Sequence, residues 1–268
     1  RKSLPFALLI ILMTFYNRSD SVMLEKMMDD NGEEAGRYAQ GFRLFEALNM
    51  VIFMFASLLL PIFSKMLKRK EDIRNIFFMA VRMLFAGGLI VGVSSYFYRA
   101  HLLDFRYEGT SLVADNAFGM LMLSFFVISS TFLFSTLLTA AGKLKALNLT
   151  SAAGLILNIG LNFLLIPEYG AYGAAIASVS TQGLAGIAQV IIVKKHFQFR
   201  ISPGVLFKIL VLTGIAFTLG FILLAYVELP WSYEYILMTS VLLFSCLVTG
   251  MLNPIQMIEM VRTKDNKL

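Results

Sequence analysis

Residues 116–141 read NAFGMLMLSFFVISSTFLFSTLLTAA, a run of 26 with no charged side chain. The hydrocarbon core of a bilayer takes about 20 apolar residues as a helix. Strands are much shorter, and half-buried ones alternate polar with apolar positions, which this run does not do. The stretch therefore predicts a membrane-spanning helix. Working outward from it, seven further apolar runs appear at 3–24, 38–64, 75–98, 146–167, 171–193, 209–227 and 235–253. The fold class expected is all-α integral membrane, with about eight transmembrane helices. Pro61, Pro167, Pro230 and Pro254 are read as turn signals near helix ends. The segment 167–173 is so short that the runs on either side of it should form a tight helical hairpin.

Composition agrees with this reading. The chain is 58% hydrophobic and 15% charged, with a mean hydropathy of +0.75. Soluble domains are about 45–50% apolar and about 25% charged. Disordered chains, secreted disulfide scaffolds and ordinary soluble enzymes fit this poorly. Cys246 is the single cysteine, so an intrachain disulfide and a Cys-based metal site are excluded. His101 and His196 are far apart in sequence, and no metal or cofactor is expected. The chain holds no nucleotide-binding loop, HExxH or GxSxG, so neither ATP use nor hydrolysis is expected and it is not read as an enzyme.

The net charge of +6 would point to nucleic acid in a soluble protein. Here its placement points to a membrane instead. If Arg1 and Lys2 are cytoplasmic, alternate loops on that side carry sixteen basic residues in all, among them Lys65, Lys68, Arg69, Lys70 and Arg74, against four on the other side. Basic residues collect on cytoplasmic loops, so both ends of the chain are expected there, with no nucleic-acid partner. Trp231, Tyr226, Tyr233 and Tyr235 gather at one turn, as an outer interfacial belt would. The acidic stretch 29–34 lacks Asp and Glu at the end positions of a calcium loop and is read as a solvated turn.

Charged residues within spans cost at least about 2.5–3.5 kcal/mol each at the helix centre and persist by facing a wet cavity or a partner. Arg18 lies about 21 Å in from Leu4 along the first helix, and Asp20 a little further out. Arg43, Glu46 and Asn49 follow at i, i+3, i+6 along one side of the second helix. Arg82 sits in the inner half of the third. One reading is a water-filled cavity with cationic groups at two depths, where the planar fork of Arg suits phosphate. The other is that Arg18, Asp20, Arg43 and Glu46 pair across the first two helices or snorkel to the interface. Arg18 and Asp20, at i, i+2, face different sides and do not pair well with each other. Asn158 and Asn162 share a face at i, i+4, and Gln182 lies near mid-membrane; these amides either bridge helices or line the cavity. Small residues from Gly173 to Gly186 form a close-packing surface, with the preceding helix as nearest partner.

The stretch from Tyr16 through Asp20 to Leu24, then Gly36-Arg37-Tyr38-Ala39, Phe42-Arg43-Leu44-Phe45-Glu46 and Leu60-Pro61, resembles the start of the C-terminal half of Wzx-type polysaccharide-repeat flippases. These belong to the multidrug/oligosaccharidyl-lipid/polysaccharide exporter superfamily, whose fold is MATE-like. Residues 166–175, Ile-Pro-Glu-Tyr-Gly-Ala-Tyr-Gly-Ala-Ala, resemble the family's turn between the last two helices of that lobe. The resemblance implies a six-helix C-terminal lobe over 1–198, with two additional helices and a cytoplasmic tail over 199–268. It implies alternating access, a partner N-terminal lobe of the same protein, and residence in the bacterial inner membrane. The implied substrate is an isoprenoid-diphosphate-linked oligosaccharide whose diphosphate meets cavity Arg groups while its lipid tail stays in the bilayer. Ion coupling would fall to Asp20 or Glu46. Residue 1 is Arg and not Met, so the chain is expected to be part of something longer. Alternatives are a multidrug or small-solute antiporter of the same fold, a peptidoglycan-precursor flippase, and a membrane glycosyltransferase.

Overall fold

The computed structural model describes residues 4–199 and 202–253, and among these every regular element is a helix. In chain order they are α1 (Leu4–Met27), α2 (Glu33–Lys68), α3 (Arg74–Gly88), a π turn (Leu89–Val93), α4 (Ser94–Phe97), α5 (Arg99–Arg106), α6 (Leu112–Ala140), α7 (Leu144–Phe197), α8 (Pro203–Tyr226) and α9 (Trp231–Val248). Six helices are long and apolar enough to cross a membrane: Glu33–Lys68, Arg74–Phe97 taken through the π turn, Leu112–Ala140, Leu144–Phe197, Pro203–Tyr226 and Trp231–Val248. This is the build of a multi-pass membrane protein. The two halves of α1, Ala7–Tyr16 and Arg18–Met27, meet at a 41° bend and pass the same test together.

One expectation about ends needs correcting. Pro61 does not stop its helix, which runs on to Lys68. Pro lacks an N–H and costs one intrahelical bond, but the next seven residues keep the helix going. Pro167 stands three residues before the non-helical Gly170, near a helix end as read, while Pro254 falls outside the described residues. Pro230 behaves as read, sitting at the N-cap of α9. The short amphipathic helix α5 was not foreseen; it is too polar to register as a span.

Helix α7 has 54 residues and would stretch about 80 Å if straight. It is not straight. Gly170 has φ 53 and ψ −132, the conformation of the first central residue of a II′ turn, where glycine is the usual occupant. A Cβ on Gly173 would collide with the backbone oxygen of Leu165. Those residues would be about 12 Å apart along a continuous helix, so the chain reverses between them. The two arms, 144–169 and 171–197, form the expected hairpin. The small-residue face of the second arm meets more than its twin: Gly173 abuts Leu165, and Gly186 abuts Thr131 of α6.

Helix α6 is the central post. One buried cluster joins its Phe118, Leu121 and Met122 to Leu24, Tyr38 and Ile52, and to Ala171 and Ala174 beside the hairpin turn. A second gathers at the other end around Phe77, whose ring lies 5.1 Å from Phe134 and 5.5 Å from Phe199. The third seats α8 and α9 on the α3–α4 span through Leu89, Val93, Phe97, Ala216, Met238 and Leu242. Lipid is as apolar as these side chains, so association rests on close packing and on polar bonds between helices. Both are present at the third contact. Tyr98 Oη donates to Glu234 at 3.1 Å, the hydroxyls of Ser95 and Tyr235 lie 3.3 Å apart, and Trp231 stacks on His101. Tyr226 and Tyr233 stay exposed nearby. Large apolar side chains such as Val51, Met54 and Leu58 are open on the outer face of α2, as lipid contact requires.

Candidate functional site

Helix α2 shows three faces. Tyr38, Phe45, Ile52 and Ala56 recur near the heptad spacing and are buried. Val51, Met54 and Leu58 point outward. Between them runs the stripe Arg43, Glu46, Asn49, Phe53, which opens onto a cavity of about 840 Å³. Leu12, Met13 and Tyr16 of α1 form another wall, with Thr131, Phe132 and Ser135 of α6, and Thr150, Gln182 and Gln189 from the two arms of α7. Ligand sites of about 300–1,000 Å³ with a few polar groups on apolar walls are the ordinary size for binding. Among the described residues, neither Arg43 nor Glu46 has an ion-pair partner, and the side-chain oxygen of Asn49 is buried without a hydrogen bond. The cavity thus presents one guanidinium and one carboxylate, neither of them ion-paired, and unused amide capacity.

Beside the cavity lies a buried carboxylate. Asp20 is only 4% exposed. Its Oδ2 accepts from Tyr38 Oη at 2.8 Å and from Ser178 Oγ, and its Oδ1 accepts from Asn162 Nδ2 at 2.7 Å. Asn162 Nδ2 also reaches Asn158 Oδ1 at 3.3 Å, which in turn accepts from Ser19 Oγ at 2.8 Å. Helices α1, α2 and both arms of α7 therefore converge on one group. No basic side chain lies within ion-pair distance of Asp20 among the described residues. Asn162 Oδ1 and Asn158 Nδ2 are buried without partners. Chemically, this is a carboxylate held by neutral donors in an apolar surround. An unpaired buried charge is costly, so the arrangement favours neutralisation by a proton or a small monovalent cation. Turning the Asn162 amide would present its oxygen beside those of Asp20, Asn158 and Ser178.

Tyr16 touches both features. Its ring lines the cavity, and its hydroxyl lies 2.6 Å from Thr181 Oγ1 and 3.4 Å from the Ser178 carbonyl.

Of the residues expected from sequence, Arg43, Glu46, Asn49 and Gln182 line the cavity. Asp20, Asn158 and Asn162 meet in the buried cluster. Arg18 is exposed and belongs to neither group. Arg82 also lies apart, half-buried on α3 with its Nε unpartnered. The alternative of ion pairs between α1 and α2 is not what forms: no salt bridge joins Arg18 or Asp20 to Arg43 or Glu46 among the described residues. Tyr38, Ser178 and Thr181 were not singled out for this role. A signal for Ser178 was available, because Asn162 and Ser178 stand eight residues either side of Gly170, and a hairpin bent there sets them opposite each other.

The acidic turn also needs correction. Asp30 caps the start of α2 by accepting from the backbone N–H groups of Gly32 at 3.1 Å and Glu34 at 2.7 Å. Glu34 is not solvated; it is buried, bonds Arg37, and accepts from the Ala171 N–H at 2.6 Å. It caps the second arm of α7 from a different helix, tying α2 to the hairpin tip. Glu34→Ala should lower stability by about 1–3 kcal/mol by orphaning that amide. Glu33→Ala, which removes an exposed pair with Arg37, should cost under about 1 kcal/mol. Thermal unfolding of the two variants in detergent separates them; equal melting temperatures would refute the cap.

No protein-family model, curated protein or solved structure matches this chain, so the site is read from its own residues.

Proposed function

We propose that this chain is a lobe of an alternating-access, MATE-like transporter in the bacterial inner membrane. On this reading it moves an isoprenoid-diphosphate-linked oligosaccharide from the cytoplasmic to the outer side. The crossings number eight, counting α1, each arm of α7, and α3 with α4 as one. Six make the lobe, and α8 and α9 are the additional pair. The basic residues Lys65, Lys68, Arg69, Lys70 and Arg74 mark the cytoplasmic side, where both ends of the chain lie.

The observation that carries the proposal is the 840 Å³ cavity with Arg43 unpaired in its wall. A diphosphate offers Arg43 two parallel charge-assisted hydrogen bonds. Asn49, Gln182, Gln189 and Thr131 supply the mixed donors and acceptors that sugar hydroxyls need. The apolar outer face of α2 leaves the lipid tail in hydrocarbon. Asp20 sits where α1, α2 and the α7 hairpin join, so loading it with a positive charge alters the bonds between the pieces that must move. That makes it the candidate for ion coupling.

Arg43→Ala tests the reading. Hydrogen bonds to charged groups contribute about 1.5–3 kcal/mol, so affinity for farnesyl diphosphate in nanodiscs should fall roughly 10–100-fold. Arg43→Lys should retain part of it. In cells relying on the variant, surface polysaccharide should drop at unchanged protein level. Wild-type polysaccharide in the Arg43→Ala strain would sink the proposal.

A further inference from the structure

Two contacts tie α1 to the second arm of α7, one helical turn apart. The buried one runs from Ser178 Oγ to Asp20. The other runs from Tyr16 Oη to Thr181 Oγ1 at 2.6 Å, at the cavity wall. Thr181 Oγ1 already faces the carbonyls of Ala177 at 2.8 Å and Ser178 at 3.0 Å, so its single proton is engaged there and Tyr16 is the donor between them. Tyr16 Oη also approaches the Ser178 carbonyl at 3.4 Å. The turn Ser178–Thr181 is therefore held at the Ser178 hydroxyl by the carboxylate and at the Thr181 hydroxyl by the tyrosine. On α1, Tyr16 and Asp20 are spaced i, i+4 and lie on one face.

We infer that Tyr16 is a positioning residue that couples the charge state of Asp20 to the occupancy of the cavity. This rests on the transporter reading and adds the route by which its two parts communicate. When Asp20 is neutralised, its need for three donors ends and Ser178 is released from one side. The Ser178–Thr181 turn then relaxes, and the Tyr16 hydroxyl follows because both its contacts are on that turn. Its ring moves in the cavity wall. By linkage, a ligand that presses on the ring must shift Asp20 to the same extent.

A double-mutant cycle on the full chain in nanodiscs tests this, with farnesyl diphosphate as the probe and calorimetry as the readout. Asp20→Asn mimics the neutral state, and Tyr16→Phe keeps the ring while removing the hydroxyl. Couplings between linked sites are commonly about 5–150-fold. Asp20→Asn should therefore change probe affinity at least about 5-fold when Tyr16 is present, and by under about 2-fold in the Y16F background. Any effect of Y16F on its own is subtracted by the cycle, and a residue that merely props the fold would not alter the Asp20→Asn effect. Thr181→Val removes the same contact from the other helix and should abolish the coupling equally, which covers failure of Y16F to fold. If Asp20→Asn acts identically in both backgrounds, the Tyr16 route is wrong and the transporter reading stands. If the wild-type chain does not bind the probe, the reading and the inference fall together.

Discussion

Gly170→Ala is expected to be among the most damaging single-methyl changes in this protein. The φ of 53° is one that alanine rarely adopts, and the added Cβ would occupy the space of the Glu34 carboxylate. Holding a non-glycine residue in such a conformation costs on the order of 1–3 kcal/mol, and overpacking adds a similar amount. The collision also pushes Glu34 off the Ala171 N–H, so the hairpin loses its turn and its cap together. A loss of roughly 3–5 kcal/mol is expected, enough to depress the yield of folded protein in detergent and lower its melting temperature sharply. Gly160→Ala is the control. Nothing lies within 4 Å of its added Cβ, and helical alanine exceeds glycine by about 0.5–1 kcal/mol. Equal melting temperatures for Gly170→Ala and wild type would show that α7 tolerates another path through the turn.

The second large effect is at Asp20, where stability and activity should separate. Asp20→Ala leaves Tyr38, Ser178 and Asn162 with donors facing an empty site. Each orphaned buried donor costs about 1–3 kcal/mol, but the two hydroxyls can turn toward backbone carbonyls, so about 2–4 kcal/mol in total is expected. Asp20→Asn keeps the volume and one acceptor oxygen, and its stability loss should stay below about 1.5 kcal/mol. What it removes is the negative charge. On the transporter reading, Asp20→Asn should therefore fold and reach the membrane yet, once joined by the partner lobe, lose transport driven by an ion gradient, whether of protons or of sodium. Thermal unfolding and gradient-driven flux in proteoliposomes read the two effects independently. Full gradient dependence in Asp20→Asn would remove Asp20 from coupling.

How much of this was legible beforehand differs by residue. Arg43, Glu46 and Asn49 could be placed on one side of a helix because their spacing alone sets it. The hairpin was readable from the shortness of 167–173 and its Pro and Gly. Arg18 and Arg82 drew the same attention as Arg43, since charge in a span is costly wherever it points. Spacing could not say that Arg18 faces outward and Arg82 stands apart from the cavity. Glu34 was hidden by its neighbours: one buried carboxylate in a run of exposed acids looks like a solvated turn.

The chain's sequence by itself determined that the protein is helical, built for a membrane, and doubled back within 167–173. Those properties depend on hydropathy summed over about 20 residues and on backbone chemistry at single positions, both of which are local. Only the tertiary structure decided that Asp20, Tyr38, Asn162 and Ser178 share one site, that Arg43 remains unpaired, and that Tyr16 bridges the two. The reason is the solvent. In water, apolar patterning fixes which face of a helix turns inward. Between lipid and a lipid-like core that preference vanishes, and helix rotation is settled by close packing and by polar groups finding one another across helices distant in sequence.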